Sequence, residues 1–124
     1  MIKIVLDTNF LIDLLKYRIR LEDELKRLVD GHYRVYILDR TIDELNGIVQ
    51  RQTGKNKQLA RMALQMVNGK ELIKSEGSVD DFLEKLAVKG YIIATGDKIL
   101  KKALKKCPVL LIRQKKYLVI KNTY

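Results

Sequence analysis

Apolar and polar positions along the chain alternate between two rhythms. Residues 2–6, IKIVL, form a short, continuous, β-branched run that predicts a buried strand. From Thr8 the apolar positions Phe10, Leu11, Leu14 and Leu15 recur at helical spacing. RLEDELKRLVDG then sets Leu21, Leu25 and Leu28 on one face and offers Gly31 as a stop. RVYIL at 34–38 predicts a second strand, and helical patterns cover about residues 40–52 and 56–68, parted by TGK. ELIKS at 71–75 reads as a third strand, SVDDFLEKLAVKG as a capped helix ending at Gly90, and YIIAT at 91–95 as a fourth strand. GDKILKKALKK predicts another helix, VLLIR at 109–113 a fifth strand, and YLVI at 117–120 a candidate sixth at an edge. No linker, repeat or low-complexity stretch divides the chain, so one domain is expected over residues 1–124.

Strands that alternate with helices imply right-handed βαβ units and a mainly parallel sheet covered on both faces. In such sheets chemistry collects outside the carboxyl ends of the strands. Asp7 closes the first strand, Glu44 follows the second, Asp80 and Asp81 open the helix after the third, and Asp97 follows the fourth. Four successive crossings therefore send a carboxylate to the same rim.

Packed carboxylates repel and resist ionisation unless a cation joins them. Hard divalent cations such as Mg²⁺ prefer oxygen donors. His32 stands alone and Cys107 is the single cysteine, which excludes an internal disulfide and argues against a nitrogen–sulfur zinc site. Each acid also has a plainer reading. Asp7, Asp80 and Asp97 precede helices and suit N-caps, and Thr41 with Glu44 fits a T-x-x-E capping box. Capping and metal binding are compatible, because a helix N-terminus also favours negative charge.

Charge sharpens the picture. The chain carries 25 Lys and Arg against 15 Asp and Glu, a formal net of +10. That balance suggests a polyanionic partner, nucleic acid before membrane. No apolar run approaches the roughly 20 residues of a membrane span, and the chain starts in a strand without a basic leader, so a cytoplasmic location is expected. An oxygen-only Mg²⁺ or Mn²⁺ site in a basic domain points to phosphodiester hydrolysis.

IVLDTNFLID, TIDELNGI and VDDFLEKLAVKGYIIATGDKILKKAL, in that order, resemble the PIN-domain nucleases. The likeness runs through VLLIRQKKYLVI and is nearest to small single-domain members related to ribosomal-RNA processing factors and VapC-type toxins. It implies a three-layer α/β/α sandwich around a central, mainly parallel five-stranded sheet, and a metal-dependent endoribonuclease. Carried across position by position, the acids are Asp7, Glu44, Asp80 and Asp97, with Asp81 a rival to Asp80. Asp7 and Asp97 would bind one or two Mg²⁺ or Mn²⁺ ions directly, and Glu44 and Asp80 through water or a second ion. Water would attack in line and leave a 3′-hydroxyl and a 5′-phosphate. Asn9 and Thr95 match polar positions that orient the acids. Family members often form homodimers, for which Phe10, Leu11, Leu14 and Leu15 are interface or, by preference, core. An antitoxin or a ribosome-biogenesis factor is a further expected partner.

After Asp97 come nine Lys and Arg residues and no acid. Lys98, Lys101, Lys102, Lys105 and Lys106 crowd one helix beside the proposed site, and Arg113, Lys115 and Lys116 follow the fifth strand. Backbone phosphate contacts are the functional reading, and a solvated face the plain one. Arg51, Lys55, Lys57 and Arg61 bracket QTGKNK, which is expected to be mobile and to line a substrate groove. Tyr17 and Tyr117 could stack on bases. A non-catalytic RNA-binding or scaffolding domain is the alternative from a different class. A phosphoaspartate receiver fits poorly, since no acidic pair ends strand one, and a haloacid-dehalogenase-type phosphatase wants D-x-D where D-T-N stands.

Overall fold

The computed structural model describes residues 1–104 and 106–122. In chain order the elements are β1 (Ile2–Leu6), α1 (Thr8–Lys16), α2 (Leu21–Leu28), β2 (Tyr33–Leu38), α3 (Asp39–Arg51), α4 (Gly54–Val67), β3 (Glu71–Ile73), α5 (Val79–Val88), β4 (Ile92–Ala94), α6 (Lys98–Ala103), β5 (Pro108–Arg113) and β6 (Tyr117–Asn122). One sheet runs β3-β2-β1-β4-β5-β6, with every pairing parallel except β5 with β6.

Side-chain alternation explains why the central strands read as continuous apolar runs. Ile4 and Leu6 of β1, Val35 and Ile37 of β2, and Ile92 and Ala94 of β4 enter one core, with Phe10, Leu11, Leu14, Leu25, Leu45 and Ala63 from α1–α4. Val5, Tyr36, Leu38 and Ile93 point the other way and meet Leu83, Leu86 and Leu100 of α5 and α6. Both faces are covered, which is the three-layer α/β/α arrangement. Truncating a fully buried leucine such as Leu14 is worth about 2–5 kcal/mol in either core. Phe10, Leu11 and Leu14 are thus core, and Leu15 packs against it half-buried.

Three sequence expectations need correction. The sheet has six strands rather than five, because Tyr117–Asn122 pairs along the whole of β5. Helix α2 clamps that strand: Glu24 Oε1 accepts from Leu118 N–H at 2.7 Å, and Arg27 Nη2 donates to the Leu118 carbonyl at 2.7 Å. Helix α4 begins at Gly54, two residues before the expected start at 56, so only Gln52 and Thr53 join it to α3. The lysine-rich helix is shorter than expected, ending at Ala103. Lys105 lies outside the described residues.

The first half of the chain steps from β1 to β2 to β3, and the second returns to the other side of β1 through β4 and β5. The sheet therefore reverses direction between β1 and β4. That switch point is where an open α/β sheet leaves a crevice at its carboxyl edge. Among the described residues no helix is long and apolar enough to cross a membrane.

Candidate active site

Asp7 N–H donates to the Ala94 carbonyl at 3.0 Å, so the end of β1 is stitched to the end of β4. The chain then leaves the strand and Asp7 becomes the N-cap of α1, its Oδ1 accepting from Thr8 N–H at 2.9 Å. Asp7 Oδ2 accepts from the Thr95 hydroxyl at 3.0 Å. Thr95 is fully buried, and its hydroxyl oxygen also accepts from Asp97 N–H at 3.1 Å. One buried hydroxyl thus orients the first acid and fixes the loop that carries the last.

Asp97 caps α6, Oδ1 accepting from Ile99 N–H at 2.8 Å and from Leu100 N–H at 3.1 Å. Its capping role is real, but it engages one oxygen. The other two acids cap nothing. Ser78 is the N-cap of α5 and its Oγ accepts from Asp81 N–H at 3.2 Å, which leaves Asp80 exposed in the first turn. The expected T-x-x-E box does not form, because α3 starts early, at Asp39, with Leu38 at its N-cap. Asp39 Oδ1 accepts from Arg40 N–H, Ser75 N–H and Ser75 Oγ, which ties this start to the chain leaving β3. Thr41 then lies inside the helix, buried, with Oγ1 paired to Thr8 Oγ1 at 2.9 Å.

The charges of these acids act on one another. Burial raises the Asp7 carboxyl above its ordinary value. Hydrogen bonds from Thr95 and Thr8 partly oppose that, and the negative charges of Asp80 and Asp97 raise it further. Glu44 is raised too, first by desolvation, against a hydrogen bond from Thr8, and then by the charge of Asp7, with Arg40 pulling it down. Asp7 is therefore the centre of a field that includes Glu44, Asp80 and Asp97. Asp81 is not among the charges that raise Asp7 and instead lines a separate surface depression with Glu76, Glu84 and Lys85.

The donor chemistry suits a hard divalent cation, because every candidate ligand is a carboxylate oxygen and a cation would relieve the repulsion on Asp7. Among the described residues no three acids converge into a ready-made cage. Mutual repulsion and the tie of Asp97 to α6 both oppose such convergence. Mg²⁺ does not require it, since it commonly binds one or two carboxylates and keeps several waters.

Of the supporting positions, Thr95 contacts Asp7, whereas Asn9 is exposed and makes no side-chain hydrogen bond among the described residues. Thr8 was not singled out by sequence, and Thr41 only as half of a capping box, so their pairing is new. The available signal was a pair of hydroxyls on buried faces of two helices that both start at the carboxyl edge. Lys98 and Lys102 are exposed on α6 and Lys101 is half-buried there. Arg51 and Lys55 are exposed and Lys57 half-buried about the α3–α4 turn. None of these three enters the hydrogen bonds or charge interactions of the acid rim described above.

This geometry has counterparts. Residues 4–115 match the family model for a PIN like domain. The curated protein "Ribonuclease VapC4" of Methanocaldococcus jannaschii is 33% identical over 127 residues, with 97% of each chain covered. A solved structure titled "Structure of the PIN domain endonuclease Utp24" superposes with a TM-score of 0.76 at 21% identity, covering 98% of this chain and 95% of that one. The last is a likeness of fold. The family match spans the strand-end acids from Asp7 to Asp97, and with the whole-chain relative it leads to one conclusion: the chain belongs to the PIN-like domain family.

Proposed function

We propose that the chain is a metal-dependent endoribonuclease, a single PIN-like domain over residues 1–124 that hydrolyses RNA phosphodiester bonds. The observation that carries this reading is Asp7 at the sheet's switch point, oriented by Thr95 and held in the field of Asp80, Asp97 and Glu44. The ribonuclease named among its relatives supports RNA as the substrate.

Asp7 and Asp97 would hold Mg²⁺ or Mn²⁺, with Glu44 and Asp80 joining through water or a second ion. A bound cation supplies charge neutralisation at the scissile phosphate and activation of water. The chain's own residues do the positioning. Thr95 aims the Asp7 carboxylate, and Thr8 hydrogen-bonds Glu44 beside it. Lys98, Lys101 and Lys102 bind phosphates flanking the cut, and Arg51, Lys55 and Lys57 extend the contact along the RNA.

The cellular role is toxin-type RNA cleavage with an antitoxin partner, or ribosomal-RNA processing with a ribosome-biogenesis partner, in the cytoplasm. A homodimer would have to use a surface other than Phe10, Leu11 and Leu14, which lie in the core. The separated carboxylates favour one second reading, a non-catalytic RNA-binding domain. Cleavage of a mixed RNA panel with Mn²⁺ or Mg²⁺ decides between them. Activity lost in EDTA and in Asp7→Asn supports the nuclease. RNA retained but uncut by the wild type across the panel supports the binding domain.

A further inference from the structure

A groove of about 440 Å³ opens beside the acid rim, between α1 and the β5–β6 turn. Gly96, next to Asp97 in the loop after β4, lines it, and so does Phe10 of the helix that Asp7 caps. Asp13 of α1 and Tyr17 at its C-cap line it, with Lys101 from α6, Arg113 from the end of β5, and Gln114 and Lys115 from the turn. Lys115 Nζ sits 5.6 Å from the Tyr17 ring centroid, and Lys16 Nζ 5.7 Å from it. Gln114 and Lys115, which line it, and Arg18, next to Tyr17 in sequence, hold left-handed backbone angles (φ 52, 55 and 56) that L-residues seldom adopt.

Three cations in a groove are ordinary for a phosphate tract. A carboxylate among them is not. Asp13 is half-buried there and forms no ion pair among the described residues. An acceptor-only group in that position repels phosphate and wants a ligand with N–H donors.

We propose that this groove is a nucleotide subsite that takes a guanosine next to the cleaved phosphodiester. Its place beside the cut rests on the endoribonuclease reading. Lys101, Arg113 and Lys115 hold the nucleotide's phosphates, and Tyr17 offers a face for the base. Asp13 accepts from the guanine N1–H and N2–H₂ groups, which present two parallel donors to one carboxylate. Adenine and cytosine set a ring acceptor beside their amino donor, and uracil flanks its one N–H with two carbonyls. Each would leave a carboxylate oxygen facing a lone pair.

The test is equilibrium binding in EDTA with the full chain carrying Asp7→Asn, so that nothing is cut. The probes are fluorescent oligoadenylates with one central guanine or one central uracil. The guanine probe should bind about ten-fold tighter. Adding Asp13→Asn should shrink that ratio to about two-fold or less, and Lys115→Ala should weaken both probes alike. Equal binding of the two probes, or a guanine preference that survives Asp13→Asn, overturns the subsite. A guanine preference in a protein that cuts no RNA keeps the subsite and removes the nuclease reading. Cutting without the preference does the reverse.

Discussion

The Thr95 hydroxyl donates to Asp7 Oδ2 across 3.0 Å while accepting from Asp97 N–H across 3.1 Å. A side chain on β4's exit thereby ties together the two acids that flank the switch point of the sheet. Thr95→Val keeps the shape but removes both bonds. It should lower RNA cleavage about 10–100-fold, the usual cost of losing a partner that orients a metal ligand. It should also cost about 1 kcal/mol of stability, because the part-buried Asp97 N–H loses its acceptor. Thr95→Ser should recover most of both. Single-turnover cleavage and thermal melts check the three proteins side by side.

The strained Asp7 carboxyl predicts a pH signature. Its folded value is raised, so in metal-free protein the folded state binds the proton more tightly than the unfolded one. Stability from this group is full below the ordinary aspartate value of 3.8 and falls as pH rises through the higher folded value. Asp39 and Glu22 are lowered and slope the opposite way in both proteins, so the comparison with Asp7→Asn reads the Asp7 charge together with its effect on Glu44. In EDTA the Tm of Asp7→Asn should exceed that of the wild type by a margin that widens over that interval. A constant or reversed gap would mean that the Asp7 charge is not under strain.

Asp80 and its neighbour Asp81 should separate cleanly. Asp80 acts on the Asp7 carboxyl, whereas Asp81 faces a different depression. Asp80→Asn should cost about 10-fold or more in cleavage rate, and Asp81→Asn less than about three-fold. Ser78→Ala is the control for the helix itself. Losing that N-cap should cost about 1 kcal/mol with little change in rate. Inverted rates for the two aspartates would move the third acid by one residue.

Binding of RNA to the basic rim should be steeply salt-dependent. Lys101→Ala removes a cation next to Asp97 and should weaken binding to all sequences alike. It should also reduce the slope of log affinity against log salt by about 1. A variant with an unchanged slope would place Lys101 outside the phosphate path.

Much of this molecule was legible along the chain because its strands are buried on both faces. A continuous run such as IVL in β1 has no polar alternation to confuse it, and the strand-end position of Asp7 follows at once. What escaped depends on pairs far apart in sequence. Asp39 begins α3 early because of Ser75, 36 positions away, and that shift undoes the capping box that Thr41 and Glu44 imitate locally. The Thr8–Thr41 pair spans 33 positions and carries no local pattern. Strand β6, a candidate from YLVI alone, is anchored by Glu24 and Arg27, more than 90 positions earlier. The rival placements at Asp80 and Asp81 were equivalent in composition, and only the direction of each side chain on α5 distinguishes them.

The central claim is that the strand-end acids bind a divalent cation through Asp7. Calorimetric titration of Mn²⁺ into wild type, Asp7→Asn and Asp81→Asn tests it most directly. Wild type and Asp81→Asn should bind alike, and Asp7→Asn should lose about ten-fold or more in affinity while melting as a folded protein. Equal Mn²⁺ binding by wild type and folded Asp7→Asn would contradict the account.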